Sequence, residues 1–438
     1  MKKTGSGAFE KEPLSLRVRA SMILMGAGQL MTKQYIKGLL FIGILAAYIV
    51  YLAMSGIADL KGLVTLGTVE GDAWLGIEGD NSVMMMLRGL FALFITIAVI
   101  ILYFANVSDI RSTDRILKAG GTLPGPIESF KRFTDRKFYM IALALPVAGI
   151  LIFNVLPIVF MILIAFMNYG GDTVPPKLVD WVGLSNFKRI LALGDLMGTF
   201  KKILGWNLVW AFLATAVNYF GGLLLALLLN KKCIKGKAVW RAFPILAYAV
   251  PGFISLLAFK FMFSYGGPIN YYITQGGASA IGFLDIDAGI KAKLIGLLVN
   301  AWISIPSSML LATGILSNMN TDLYEAASID GASAFVKFFK ITLPFVVFST
   351  TPVLITSFVG NFNNFGIFYF LRGGLYVDGY FLASDTDLLI NWLYNLSIAN
   401  NYYSIGAAIS LIIFIITSVF SLSVYVRSSA YRKEDTFR

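Results

Sequence analysis

The feature that most constrains this chain is a series of unbroken apolar runs, each long enough to cross a lipid bilayer. A spanning helix needs about 20 mostly apolar residues to cross the roughly 30 Å hydrocarbon core. Eight stretches meet that measure, near 38–57, 88–107, 139–167, 204–229, 242–264, 293–316, 343–362 and 403–427. Strands of a membrane barrel would alternate apolar and polar residues over about ten positions, and these runs do not alternate. Only 14% of residues are charged and the mean hydropathy is +0.75, well outside the range of an average soluble domain. The expected fold is therefore all-α and polytopic, with about eight transmembrane helices.

Lys and Arg concentrate in cytoplasmic loops and tails, so their distribution orients the spans. The positive excess falls on one side if both termini are cytoplasmic. Its main contributors are Lys2, Lys3, Lys11, Arg17, Arg19, Lys33 and Lys37, then the loops RSTDRILKAGGTLPGPIESFKRFTDRK and NKKCIKGKAVWR. The net charge of +12 thus has a membrane explanation and does not call for nucleic acid. The first apolar run follows a basic leader and reads on as a full span, so no cleavable signal is expected. The chain has no His and a single cysteine, Cys233, which leaves neither a disulfide framework nor a His/Cys metal cluster.

The linker GGTLPGPI at 120–127 separates the first two spans from the other six. The expected organisation is a cytoplasmic or interfacial segment 1–37, two accessory helices with a basic linker in 38–138, a six-helix core in 139–427 and a cytoplasmic tail 428–438. MILMGAGQLMTKQYIKG is apolar but short and glycine-broken, which predicts an interfacial or re-entrant segment. SNFKRILALGDLMG, at 185–198, predicts a short surface helix with Phe187, Ile190, Leu191 and Leu193 near one side.

Ion-coupled carriers place ionisable groups at membrane depth, and the predicted span interiors hold no Asp or Glu. Lys260 lies toward the outer end of its span, where a long side chain can snorkel. No G-x-x-x-x-G-K-[ST] phosphate loop occurs, so ATP hydrolysis within this chain is not expected. Energy enters through a partner, or transport is passive. An intramembrane enzyme would lack a catalytic set.

The segment 318–344 contains NTDLYEAASIDGASAFVKFFKITLP. Thr321 is predicted to cap a short helix with Asp322 in its first turn, Gly331 to permit a turn, and Phe335, Phe338 and Phe339 to give a second helix an apolar side. The expectation is a helix-turn-helix protruding from the membrane; an ordinary solvated loop is the plainer alternative.

This segment resembles the E-A-A-x2-D-G-A-x5-F-x2-I-x-L-P pattern of ATP-binding-cassette importer permeases at Glu325, Ala326, Ala327, Asp330, Gly331, Ala332, Phe338, Ile341, Leu343 and Pro344. In that family the loop is a coupling helix that docks on a cytoplasmic ATPase. The resemblance implies a type I importer core, with Glu325 as a charged contact and Gly331 as the pivot. It also implies that this chain is not itself an enzyme and holds no cofactor, ATP and Mg being bound by the partner ATPase.

WVGLSNFKRIL, AYAVPGFISLLAFKFMF, TPVLITSFVGNFNNFGIFYFLRGG and TDLLINWLYNL are similar to carbohydrate permeases, in particular the larger, MalF-like subunit of maltose and maltodextrin transporters over most of 139–430. The short segment 168–203 stands where the enterobacterial form of that subunit carries a very large extracytoplasmic domain. The likeness implies a multi-pass subunit of a bacterial cytoplasmic membrane. Its expected partners are a second, homologous (MalG-like) permease, an ATPase dimer, an extracytoplasmic solute-binding protein and an oligosaccharide.

A neutral sugar is held by hydrogen bonds to its hydroxyls and by aromatic faces, without formal charge. Ser357, Asn361 and Asn364 recur at spacings of four and three, a polar stripe if the seventh span is helical throughout. Such residues also bond neighbouring helices in membranes, and sequence alone leaves both uses open. The resemblance implies sugar-facing roles for these three, for Asn300, Ile303, Ser304 and Ser307 on the sixth span, and for Tyr248 and Gly252 on the fifth. Against the maltose permease the pocket changes at Gly252, Ser304, Ser307 and Gly360, which makes a longer maltodextrin or a galacto-oligosaccharide an alternative to maltose. A stand-alone passive or ion-coupled sugar carrier is the competing functional class.

Overall fold

A computed structural model describes residues 14–427 apart from 73, 126, 127, 129, 130, 132, 133, 136, 137 and 232. Lys2, Lys3, Lys11 and the tail 428–438 lie outside the described residues, as does part of the 119–138 linker. Among the described residues the regular structure is helical, with isolated β-bridges only. The expected all-α, polytopic architecture holds. Among the described residues seven helices are long and apolar enough to cross a membrane, and an eighth span is counted if a bent pair is taken as one.

By packing the chain divides into two units, one through Trp181 and one from Val182. The third span therefore packs with the first two, whereas the linker had suggested a division near residue 138.

In the first unit, α1 (Leu16–Ile23) and α2 (Ala27–Met31) precede the long helices α3 (Tyr35–Thr65), α4 (Ser82–Lys118) and α5 (Phe138–Ile164). Eight and five residues are too few to span, so the glycine-broken segment is indeed not a crossing. Polar side chains hold it on α4. Asn106 Oδ1 accepts from the Gly26 amide at 3.2 Å, and Asn106 Nδ2 donates to the Ser21 carbonyl at 3.3 Å. Gln29 Nε2 donates to the Asn106 carbonyl and to Asp109, which also pairs with Lys37 at 3.1 Å. The buried side chains of Ser21, Gln29 and Asn106 thus have partners, as a low-dielectric site requires. At 37 residues α4 measures about 55 Å, far more than a bilayer core, and its carboxylates Asp109 and Asp114 fall beyond the apolar run.

The second unit begins with α6 (Ser185–Ala192), which packs on the last helix, α17 (Tyr403–Arg427). On α6 Ile190 is buried, but Leu191 is 65% exposed, so the predicted apolar side is narrower than the sequence suggested. The central helix is α7 (Gly194–Asn230), which packs along α11 (Gly289–Ser317). Their close approach is fixed at Gly222, where a Cβ would press on the backbone of Met309.

The predicted fifth span is not one helix. It is α8 (Lys237–Ala249) and α9 (Gly252–Met262), bent by 89°. Pro251 lacks an amide hydrogen and pushes Val250 out of the helical region, to ψ 129. Lys260 lies in the last turn of α9 and is exposed, in keeping with its predicted place near the end of the span. A short α10 (Pro268–Gln275) follows.

After α11 come α12 (Thr321–Ile329) and α13 (Ala334–Lys337). A π-turn at Phe338–Thr342 then leads into α14 (Leu343–Phe362), followed by α15 (Gly366–Arg372) and α16 (Leu389–Tyr394). Two buried clusters sit in this unit. One gathers Trp210, Leu256, Val299, Phe368 and Leu388; the other gathers Tyr219, Leu223, Met309, Met319 and Val346.

Candidate functional site

The segment 318–344 folds as a helix-turn-helix at one end of the second unit. Its first helix is capped by Asn320, whose Oδ1 accepts from the Asp322 amide at 2.9 Å. Thr321, the predicted cap, is instead the first helical residue. The shift of one residue follows from Asn320 adopting the extended backbone that an N-cap requires.

Helix α12 ends in a Schellman motif. The Ala332 amide donates to the Ala327 carbonyl at 2.8 Å and the Gly331 amide to the Ser328 carbonyl at 3.1 Å, with Gly331 at φ 73. This is the physical content of the predicted pivot, since a side chain there would strain the left-handed backbone. Ser333 then caps α13 through the Val336 amide.

Tyr324 anchors the unit from below. Its hydroxyl shares a 2.7 Å hydrogen bond with Thr342 Oγ1, and its ring packs against the cluster around Met319 and Val346. Lys337 Nζ donates to Ser328 Oγ at 2.6 Å, tying the two short helices together. The outward surface is Glu325, Ala326, Asp330 and Gly331, with Ala327 and Ala332 half-buried. Around them Leu323, Ile329 at 87% exposure, Phe335 and Phe339 present apolar surface to solvent. An ordinary solvated loop would not carry such a surface on a capped, anchored frame.

The residues expected to face a sugar fall into three groups. Asn300 is 3% exposed; its Oδ1 accepts from Asn364 Nδ2 at 3.4 Å, while its own Nδ2 has no partner. Asn361 donates to Thr215 Oγ1 on α7 at 3.0 Å. Ser307 Oγ donates to the Ser304 carbonyl within α11, beside the half-buried Ile303. Tyr248, Ser357 and Gly360 are exposed, and a Cβ at Gly252 or Gly360 would meet nothing within 4 Å.

The polar stripe expected of Ser357, Asn361 and Asn364 is interrupted. Helix α14 ends at Phe362, so Asn364 leaves the helical spacing and instead accepts from the Ile367 amide at the start of α15. Tyr248 and Gly252 lie on opposite sides of the Pro251 break. Helix α11 runs through Pro306 without interruption.

A second polar assembly was not foreseen. Arg372, fully buried, donates to Asp385 at 2.9 Å and Thr386 at 3.1 Å, and to the carbonyls of Asp285 and Ile286. Asp387 accepts from the Ser384 amide and hydroxyl and from Asn395 Nδ2. Burial pushes the Asp387 carboxyl up to about 6, against the Ser384 hydrogen bonds and the Arg372 charge that favour ionisation. Asn207 on α7 locks this assembly to the core, donating to the Phe362 carbonyl and accepting from the Leu389 amide. The only sequence signal was an arginine closing an apolar helix and an acidic S-D-T-D run; neither names its partner.

Long apolar helices and a broken span together define a polytopic membrane protein. Residues 218–432 match the model of the binding-protein-dependent transport system inner membrane component family. The chain is 34% identical to the maltodextrin transport system permease protein MalC of Streptococcus pneumoniae, covering 94% of this chain and 96% of that one. It is 32% identical to the galactooligosaccharides transport system permease protein GanP of Bacillus subtilis, over 94% and 97% of the two chains. The chain belongs to this family of binding-protein-dependent permeases. Its fold is also that of a bacterial ABC transporter involved in the import of the acidic polysaccharide alginate, with TM-score 0.56, 21% identity, and 69% of this chain and 98% of that one covered.

Proposed function

We propose that this chain is the permease subunit of an ATP-driven oligosaccharide importer of a bacterial cytoplasmic membrane, with both termini cytoplasmic. The observation that carries this is the helix-turn-helix at 318–344: rigidly capped, hydrogen-bonded to the base of α14 and outwardly exposed at Glu325. A cytoplasmic ATPase dimer grips it, and each closure of that dimer moves α12 and, through Tyr324 and Thr342, the spans above. ATP and Mg belong to the ATPase. A second, homologous permease completes the pathway, and an extracytoplasmic binding protein delivers the sugar.

The substrate class is a maltodextrin-like or galacto-oligosaccharide chain, supported by the transport roles of the two relatives. Asn300 Nδ2 is a buried donor without a partner and takes a sugar hydroxyl, since an unmet amide costs about 1–3 kcal/mol. Asn364 orients it; Ser304, Ser307 and Ile303 line the same helix. The exposed Tyr248, Ser357 and Gly360, with the open space at Gly252, form the part of the pocket that the second permease closes. Asn361 positions α14 against α7.

Reconstitution separates this from a stand-alone carrier. Proteoliposomes holding both permeases, the ATPase and the binding protein take up labelled maltodextrin or galacto-oligosaccharide only with internal ATP. Uptake that persists without the ATPase overturns the proposal.

A further inference from the structure

We propose that a cleft on α4 beside Met22 is a binding site for the phosphodiester headgroup of an anionic phospholipid. It rests on α4 crossing the membrane and does not depend on which substrate the chain carries. The cleft has a volume of about 420 Å³. Its apolar wall is Met22, Tyr103 and Phe104, and its polar wall is Ser108, Arg111 and Arg115. The Tyr103 hydroxyl donates to the Met22 carbonyl at 2.9 Å, which fixes the two sides relative to each other.

Phe104, Ser108, Arg111 and Arg115 recur at spacings of four, three and four, and so share one helical face. Along that face the chemistry changes from aromatic to hydroxyl to guanidinium over about 16 Å, the order and scale of acyl chain, glycerol and phosphate. The carboxylates at this end of α4 are already engaged: Asp109 by Lys37 and Gln29, Asp114 by Arg17 and Lys118. Arg111 and Arg115 are exposed and have no side-chain partner among the described residues. Two free guanidinium forks below an exposed phenyl ring match a phosphate attached to an acyl chain, because each fork can grip two phosphate oxygens while the ring meets hydrocarbon. A soluble phosphate would leave Phe104 and Met22 without a counterpart.

The test uses the intact importer in phosphatidylcholine nanodiscs, titrated with dioleoyl-phosphatidylglycerol, with bound lipid counted by native mass spectrometry. The double variant Arg111→Gln/Arg115→Gln should bind phosphatidylglycerol roughly 30-fold more weakly, since each basic side chain near an anionic surface is worth about fivefold. Lysine at both positions should restore part of the affinity, the charge being kept and the fork lost. Arg88→Gln, near the opposite end of the same helix, should leave binding unchanged. Melting profiles matching the parent's show that the variants are folded, as expected for exposed sites. Equal binding by parent and double variant, an equal loss in Arg88→Gln, or displacement of the lipid by millimolar inorganic phosphate would each overturn the proposal. So would loss of the ATPase from the double variant with lipid binding unchanged, because the cleft would then be a protein interface.

Discussion

Two excursions leave the spans of the second unit, 318–344 and 373–402, and they solve the problem of their polar groups in opposite ways. The first is satisfied almost entirely by its own neighbours in sequence: the Asn320 cap, the Gly331 Schellman turn, the Ser333 cap. Lys337 reaches back to Ser328, and Tyr324 reaches farther, to Thr342. That economy leaves Glu325 and a rim of apolar side chains facing outward. The second excursion turns inward, with Ser384, Thr386, Asp387 and Asn391 all buried and Arg372 reaching residues 285 and 286. A segment bonded locally can move as a body against a partner; a segment bonded across the fold holds helices in register.

Substitutions should separate the two by what they damage. Arg372→Ala leaves the partly exposed Asp385, the buried Thr386 and two carbonyls without their donor, and should cost about 3–4 kcal/mol, seen as a large drop in the thermal midpoint of the purified complex. If that midpoint is unchanged, the inward segment is not structural.

The next effect is a pH dependence confined to the inward segment. The folded pKa of Asp387 is raised from 3.8 to about 6, so its protonated form is favoured by folding. Its stabilising contribution is complete below pH 4 and is lost as pH rises through 6, a change of about 3 kcal/mol. Thermal melts should therefore show stability falling between pH 4 and 7 by that amount, and Asp387→Asn should remove the slope.

Smaller effects belong to the outward segment. Gly331→Ala meets no steric obstacle, so its cost is the left-handed backbone alone, about 1 kcal/mol. Hydrogen exchange should quicken in 321–332 while the global midpoint stays within a degree or two. Ser333→Ala should do the same for α13, by about 1 kcal/mol or slightly less.

The two segments also differ in how legible they were. Among the described residues hydropathy located each candidate span, because a lipid surrounding imposes composition directly, and it missed the break where Pro251 turned one run into two helices. The outward loop was readable because its bonds are local: residues close in sequence make the caps, and even the one error, Thr321 for Asn320, was a single position. The inward network was opaque because its contacts join residues such as Asn207 and Leu389 that no local pattern relates. The residues proposed to face the sugar lie between these cases. Helical spacing grouped Ser357 with Asn361 but carried on to Asn364 past the end of α14, where the chain has already turned toward α15.

Glu325→Lys tests most directly whether the outward segment receives energy from a separate ATPase. The side chain is exposed, so the variant should insert and melt as the parent does. ATP-dependent sugar uptake by proteoliposomes carrying the variant importer should fall to the level seen without ATP, with the ATPase no longer stimulated by the loaded binding protein. Uptake at the parent's rate would contradict the assignment of 318–344 as the coupling site.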